Sequence, residues 1–274
     1  MAVPTIKLIL TDIDGTILPK GDKQVSPRTV AAFHAALDAG IAIGPCSGRG
    51  YDWIPPFFGG DTACCTTAIA TNGLQIYLDG TKVLERSLPH EALRQVRAIV
   101  ADTPHAGLLC FDGGVPLLLE GTRADLAQAF PAYAETCVDA VEIPAAPVVK
   151  ANVFSGGSEQ EMRELVARLN AEVAALDVDH ALPHFSNMMV AGWNKGEAVR
   201  WVAEQLGIGL DEVVIFGDAD NDLPMFRVVE HAVAVANATP EAAAEARWHI
   251  GACADDAVAA AIEAIAAGTW PFTA

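Results

Sequence analysis

The two ends of the chain share one pattern, in which short apolar runs alternate with longer amphipathic stretches. Short, mostly apolar runs predict strands buried on both faces of a parallel sheet, and the amphipathic stretches predict helices. Ser26 followed by Pro27 predicts a helix that stops at Gly40, and Asn194 predicts one that ends at Leu206. The predicted strands are residues 6–10, 41–45, 68–70, 213–216 and 232–236, and a closing helix is predicted at 257–267.

The middle of the chain mixes hairpins with helices instead of alternating strand and helix. Turn sequences at Asp79-Gly80 and Asp112-Gly113-Gly114 separate pairs of apolar runs, which predicts two β-hairpins. Helices are predicted at residues 89–101, 123–135 and 159–173, with a strand at 148–154. We therefore predict an α/β core at residues 1–79 and 190–274, interrupted by an α+β domain at residues 80–189.

Two aspartates stand where the first predicted strand ends. Asp12 and Asp14 are separated by one residue and followed by Gly15-Thr16. Ligands of open α/β sheets bind at the carboxyl ends of the strands, and buried carboxylates there are costly unless a cation meets them. The pair therefore suits a divalent metal such as Mg²⁺, or a nucleophile beside an acid/base partner. A solvated Asp-Gly turn is the alternative interpretation.

Three further polar groups lie at strand ends or at a helix start. Ser47-Gly48-Arg49 follows the second predicted strand, where a hydroxyl and backbone N–H groups suit an anion. For this stretch taken alone, an ordinary strand-to-helix turn is the favoured interpretation. Lys195 lies in the first turn of a helix, against the helix dipole, which is reasonable if it faces an anion; a surface lysine is the alternative. Asp218, Asp220 and Asp222 with Asn221 follow the strand at 213–216, and again require a cation.

The amino-acid composition limits the classes of partner and the cellular location that we expect for this protein. The 274 residues are 52% hydrophobic and 19% charged, which is enough apolar material for a core. The formal net charge of −18 argues against nucleic acid or an anionic membrane as a partner. The six cysteines show no metal-finger spacing and are expected to be reduced and buried. Since no apolar run is long enough for a signal peptide or a membrane span, we expect a cytoplasmic protein.

Taken together in this order, the motifs resemble the haloacid dehalogenase (HAD) superfamily, and within it the Cof-type sugar-phosphatase-like hydrolases. The resemblance covers essentially the whole chain, includes Asn237-Ala238 after the fifth strand, and implies a Rossmann-like core with an inserted α+β cap domain. Pro55-Pro56 and Cys46 depart from the family pattern without touching a motif residue.

The resemblance also implies roles for the motif residues. Asp12 would be the nucleophile that forms an aspartyl phosphate, and Asp14 the general acid and base. Mg²⁺ would bind Asp12, the backbone carbonyl of Asp14, and Asp218. The phosphoryl oxygens would be held by Ser47, Gly48, Lys195 and Asn221, with Asn221 and Asp222 also supporting Lys195 or the metal.

The leading hypothesis is a Mg²⁺-dependent phosphatase acting on a small phosphorylated metabolite, a sugar phosphate in the first instance, as a monomer or homodimer. A phosphomutase of the phosphomannomutase type and a non-catalytic regulatory protein on the same fold are the alternatives. Substrate choice is expected to come from the insert, with His184 and Asn187 as candidate residues.

Overall fold

The computed structural model describes residues 4–180 and 182–272, which form two compact units. The first unit is the chain up to Leu84 and again from Asn194, and the second is Glu85–Trp193. The second unit begins five residues later and ends four residues later than the predicted insert of residues 80–189. The predicted hairpin about Asp79-Gly80 therefore belongs to the first unit, and only Glu85, the last residue of its second strand in the structure, lies in the second unit.

The first segment of the first unit contains the elements that the pattern predicted. Ser26 accepts a hydrogen bond from the backbone N–H of Thr29 and Pro27 opens the helix, which confirms the predicted cap. Leu8 and Leu10 are completely buried, as is Ile9 between them, so the first strand is covered on both faces. The elements are β1 (Leu8–Thr11), α1 (Pro27–Asp38), β2 (Ala42–Pro45), β3 (Ala68–Ala70), β4 (Gln75–Leu78) and β5 (Thr81–Glu85).

The second unit is a six-stranded sheet with helices. Its strands are antiparallel to their neighbours except for the last pair, which is parallel. The elements are α2 (His90–Ala101), β6 (Ala106–Asp112), β7 (Val115–Glu120), α3 (Arg123–Ala129), α4 (Pro131–Thr136), β8 (Val138–Asp139), β9 (Ala151–Ser155), α5 (Glu159–Glu172), β10 (Leu176–Val178) and β11 (Phe185–Val190), and the strand order is β10-β11-β9-β6-β7-β8.

Two predictions for this unit are corrected by the structure, and two of its strands were not predicted. The single helix at 123–135 is wrong: Phe130 has a non-helical backbone (φ −152°, ψ 86°), because Pro131 excludes the helical conformation of the residue before it. The strand predicted at 148–154 runs from Ala151 to Ser155. Strands β10 and β11 were not predicted, since Ser186 and Asn187 interrupt the apolar run of β11.

The two ends of the second unit are held side by side. The guanidinium of Arg86 lies over the ring of Trp193, 3.8 Å from its centroid, in a cation–π contact. The chain therefore leaves this unit close to where it entered.

The last segment returns to the first unit. Asn194 caps its first helix by accepting from the N–H of Glu197, as predicted. The strand predicted at 232–236 is shifted toward its amino end, and a two-residue edge strand was not predicted. The elements are α6 (Lys195–Leu206), β12 (Val213–Gly217), α7 (Leu223–Phe226), β13 (His231–Ala234), α8 (Pro240–Glu245), β14 (Trp248–His249) and α9 (Ala257–Ala266).

Five parallel strands form the sheet of this unit, in the order β14-β13-β12-β1-β2. Strand β1 is central, with Leu8 paired to Val213 on one side and to Ala42 on the other. The strand order reverses at β1, so its carboxyl end is the switch point at which open α/β sheets bind ligands. Helices α1 and α9 contribute to one apolar cluster with the sheet, in which Phe33 and Ile262 are completely buried.

None of the helices in the described part of the chain is both long and apolar enough to cross a bilayer.

Candidate active site

The centre of the site is a lysine buried between two carboxylates. Lys195 opens α6, and its side chain has no solvent-exposed surface. Its Nζ donates to Asp12 Oδ1 and to Asp222 Oδ1, each at 2.6 Å. Burial by itself lowers the pKa of Lys195, but the attraction of Asp12 and Asp222 outweighs burial and the pKa is raised. The lysine is therefore a fixed positive charge at the carboxyl end of β1.

Asp222 shapes the loop after β12 and leaves little capacity for another partner. Its Oδ1 accepts from Lys195, while its Oδ2 accepts from the backbone N–H groups of Asp218 and Ala219, at 2.9 and 3.1 Å. Both oxygens are thus engaged, one by the lysine and one by the loop. This arrangement fits the predicted role of Asp222 as a support for Lys195.

Asp218 lies against the loop after β1. Its Oδ1 accepts from Thr16 Oγ1 at 2.9 Å. Gly15 has a left-handed backbone (φ +85°), and a Cβ there would lie 2.4 Å from Asp218 Oδ2, so only glycine fits. The pKa of Asp218 is raised to about 7, first because the carboxyl is buried and then because Asp222 is near.

The carboxylates of this cluster fit a divalent cation. Asp12, Asp218 and Asp222 each offer an oxygen, and these atoms lie within 4.8 Å of one another. Burial, opposed by Lys195, raises the pKa of Asp12 well above its usual range, with smaller contributions from the neighbouring aspartates. Since Asp222 is already engaged at both oxygens, Asp12 and Asp218 are the carboxylates best placed as ligands. Hard oxygen donors that are costly to leave ionised suit a cation of the Mg²⁺ type.

Asp14 has different surroundings from Asp12. Its side chain is 47% exposed, whereas Asp12 is buried. Arg49 forms a bidentate salt bridge with Asp14, in which Nε donates to Oδ2 at 2.9 Å and Nη2 donates to Oδ1 at 2.7 Å. The Arg49 guanidinium also lies 5.1 Å from the centroid of the Phe57 ring. The two aspartates of the motif therefore differ in burial and in cationic partner, which suits them to different chemical roles.

The loop after β2 completes the site. Ser47 is buried, its N–H donates to the carbonyl of Ile69 at 2.8 Å, and its Oγ accepts from the N–H of Arg49 at 3.2 Å. Asn221, from the loop after β12, reaches the same region, where its Nδ2 donates to Asn72 Oδ1 at 3.3 Å. The structure thus brings the predicted catalytic, phosphate-binding and metal-binding residues to the carboxyl edge of one sheet.

Four contributors to this arrangement had no predicted role. Thr16 supports Asp218, Arg49 holds Asp14, and Asn237 Nδ2 donates to the carbonyl of Gly15 at 2.7 Å. Asn72 lies in the turn after β3. Thr16, Arg49 and Asn237 lie within or beside the sequence motifs, so their positions could have indicated that they belong to the site. Asn72 lies outside the motifs and had no such indication.

The chain is similar along most of its length to known proteins. A sequence model of the haloacid dehalogenase-like hydrolases matches residues 9–262. A relative from Klebsiella pneumoniae described as an HMP-PP phosphatase is 29% identical, with 87% of each chain covered. A phosphoglycolate phosphatase from Pyrobaculum neutrophilum is 28% identical, with 88% of this chain and 87% of the relative covered.

Solved structures agree with the fold. A haloacid dehalogenase-like hydrolase from Bacteroides thetaiotaomicron superposes with a TM-score of 0.77 at 22% identity, covering 95% of this chain and all of the other. The family match and this likeness confirm the predicted family and α/β fold class. The family match and the two phosphatase relatives confirm the predicted enzyme class, a phosphatase. The chain belongs to the haloacid dehalogenase-like hydrolase family.

Proposed function

We propose that this protein is a Mg²⁺-dependent phosphatase that hydrolyses a small phosphorylated metabolite, a sugar phosphate in the first instance, through an aspartyl-phosphate intermediate. The observation that carries the proposal is the position of Asp12. It lies at the switch point of the sheet, 2.6 Å from a completely buried lysine, and one of its oxygens is within 4.8 Å of an oxygen of Asp218. A buried carboxylate that faces one fixed cation and a second carboxylate is suited to meet a metal and an anionic substrate.

The reaction follows from the two aspartates. Asp12 attacks the phosphorus in line, an oxygen–phosphorus bond forms, and the bond to the substrate oxygen breaks. Asp14 gives its proton to the departing alkoxide. Asp14 then takes a proton from a water that attacks the aspartyl phosphate, which releases inorganic phosphate and restores Asp12. The greater exposure of Asp14 supports this role, because it must exchange protons with the leaving group and with water.

The charge that builds up on the transferring group has several partners in the site. Lys195 would contact a phosphoryl oxygen while Asp222 continues to hold it. Ser47, the backbone at Gly48, and Asn221 would hold the remaining oxygens. Asp12, Asp218 and the backbone carbonyl of Asp14 would hold Mg²⁺, which when bound neutralises carboxylate and phosphate charge. Because the donors are fixed by the loops of one sheet, they need little rearrangement when the substrate arrives.

The identity of the leaving group is a separate question. The two relatives are named as phosphatases of different compounds, HMP-PP in one case and phosphoglycolate in the other. The proposed site addresses only the phosphoryl group and the metal. We therefore assign substrate choice to the unit Glu85–Trp193, as a cap. Within it Asn187 is tied to Asp179 and Asn152, so its amide has a fixed orientation.

The direct test is phosphate release from aryl and sugar phosphates with and without metal. Activity is expected to require Mg²⁺, to vanish with EDTA, and to be inhibited by Ca²⁺, whose larger and looser coordination misplaces nucleophile and phosphate. Asp218→Ala should weaken the apparent Mg²⁺ affinity at least about 100-fold, since even outer partners of a ligand cost roughly 10–100-fold. Asp38→Ala, an exposed aspartate on α1, is the control. Full activity after exhaustive chelation would contradict the proposal, and transfer of the phosphoryl group without its release would favour a mutase.

The role of Asp14 gives a second prediction. Asp14→Asn should slow turnover of alkyl phosphates by about 10²–10⁴-fold, the usual contribution of a general acid/base. An aryl phosphate has a good leaving group that needs less protonation, so formation of the aspartyl phosphate should remain fast. Hydrolysis of the aspartyl phosphate should be slow, because the amide that replaces the Asp14 carboxylate cannot take a proton from the attacking water. Stopped-flow measurement is therefore expected to show a burst of the aryl alcohol followed by slow release. Unchanged turnover of an alkyl phosphate by Asp14→Asn would exclude this assignment.

A further inference from the structure

The turn after β3 has an unusual backbone. Thr71 and Asn72 both have positive φ values, 50° and 53°, and Gly73 follows at 101°. Non-glycine residues rarely adopt this left-handed conformation, and Thr71 does so as a β-branched residue. Both residues are buried, with 4% and 3% of their surface exposed. A conformation this costly persists only where the surroundings impose it, and such positions cluster at functional sites.

The backbone of this turn fixes the loop that follows β2. The N–H of Thr71 donates to the carbonyl of Arg49 at 2.8 Å, and the N–H of Asn72 donates to the carbonyl of Ser47 at 2.9 Å. Two carbonyl dipoles of the Ser47–Arg49 loop therefore point toward the turn. A carbonyl oxygen repels an anion, so this arrangement keeps the loop suited to bind phosphate.

The side chain of Asn72 lies between two loops of the site. Its Oδ1 accepts from Asn221 Nδ2 at 3.3 Å, which ties it to the loop after β12. The same amide lies against Gly48: a Cβ at that glycine would be 3.2 Å from Oδ1 and 3.3 Å from Nδ2. One buried amide thus sets the spacing between the backbone at Gly48 and the amide of Asn221. Both are proposed to hold phosphoryl oxygens.

We propose that Asn72 is a positioning residue that fixes the distance between the two phosphoryl-binding loops. This inference rests on the proposed phosphatase function. The competing explanation is that asparagine is present only because it tolerates a left-handed backbone better than most residues do. Glycine tolerates this backbone at least as well and has no amide, so Asn72→Gly separates the two explanations.

The experiment compares Asn72→Gly with Thr71→Gly, which makes the same change one residue earlier in the same turn and leaves the amide in place. For each variant we would measure thermal unfolding, kcat and KM with an aryl phosphate, and inhibition by vanadate, a mimic of the transferring phosphoryl group. Asn72→Gly is expected to lower kcat and to weaken vanadate binding by about 10-fold or more, because small displacements of positioned groups are costly. Thr71→Gly should stay within about twofold of the wild type.

A double-variant cycle tests whether Asn72 acts through Asn221. Asn221→Ala and Asn72→Gly together should lose little more activity than the worse single variant, because residues that act as a unit are not additive. Independent, multiplying losses would overturn the proposal. So would an Asn72→Gly enzyme with wild-type kcat and vanadate affinity. A wild-type enzyme that neither releases phosphate nor binds vanadate would instead overturn the proposed function.

If Asn72→Gly does not fold, Asn72→Asp takes its place. Aspartate tolerates the same backbone and keeps an acceptor for Asn221, but it adds a negative charge beside the loop at Gly48. Vanadate affinity should then fall about 10-fold or more while the unfolding temperature stays close to that of the wild type. Unchanged vanadate affinity in this variant would also overturn the proposal.

Discussion

Asp12→Asn is expected to abolish turnover while the protein stays folded. An amide is too weak a nucleophile to form the acyl phosphate, so the loss should exceed about 10⁴-fold, as is typical when a catalytic nucleophile is removed. The fold should survive because Lys195 keeps Asp222 as its carboxylate partner, and the introduced amide still offers an oxygen to the lysine. The substitution also removes one of the buried negative charges whose ionisation is costly.

The measurement is phosphate release per folded molecule, combined with urea unfolding. Asp38→Asn makes the same chemical change at an exposed position of α1 and should leave both quantities unchanged. Phosphate release by Asp12→Asn at a rate near that of the wild type would exclude an aspartyl phosphate at this residue. Loss of folding would contradict the argument that Asp222 alone can hold the lysine.

Lys195→Met is expected to cause the largest loss of stability of any single substitution considered, together with loss of activity. Methionine has a similar length but leaves Asp12 and Asp222 buried without their cation. Removing one partner of a buried ion pair costs about 3–5 kcal/mol of unfolding free energy. Because two carboxylates depend on this lysine, the loss should lie at the upper end of that range.

The loss should depend on pH in a defined direction. Carboxylates whose pKa is raised in the folded protein hold protons that the unfolded chain has already released, so their contribution to stability falls as pH rises. For Asp218 this window lies between the ordinary pKa of 3.8 and the raised pKa of about 7. Lys195 lowers the pKa of both Asp12 and Asp218, so its removal raises these pKa values further. Lys195→Met should therefore be closest to the wild type near pH 5 and furthest from it near pH 8.

Lys7→Met is the matched control for this effect. Lys7 pairs with Glu212 at 2.7 Å, nearly the same separation as in the buried pairs, but its side chain is 49% exposed. Water and salt screen such a pair, so its removal should change stability little and with little dependence on pH. Urea unfolding of both variants at several pH values makes the comparison. Equal losses for Lys7→Met and Lys195→Met would contradict the role given to burial.

The predictable part of the site follows from the geometry of a parallel sheet. The apolar runs before Asp12, Ser47 and Asp218 predicted strands, and the carboxyl ends of parallel strands meet at one edge. Helix capping at Asn194 placed Lys195 at the start of a helix, where its charge required a partner. These are local signals, and the structure places all four residues as the sheet requires.

The unpredicted part depends on contacts between residues far apart in sequence. The pairing of Arg49 with Asp14 and the bridge from Asn72 to Asn221 have no local pattern that specifies them. Strand β11 was missed for a related reason: its polar residues Ser186 and Asn187 lie within the sheet, where tertiary contacts override the local polarity. Phe130 shows the opposite case, since the effect of Pro131 on the residue before it was a local signal that the helical periodicity obscured.

The division of the first unit into two chain segments has a consequence for biosynthesis. Asp12 and Lys195 are 183 residues apart in sequence, and β1 lacks its neighbour β12 until the chain beyond Asn194 has been made. At about 5–20 residues per second the ribosome needs roughly 10–40 s to cover that distance. During this interval the unit Glu85–Trp193 emerges complete and continuous, with Arg86 and Trp193 available to close its ends. The nascent chain therefore completes its inserted unit first. The apolar strand that precedes Asp12, the proposed nucleophile, remains exposed on one edge until the last third of the protein has been made.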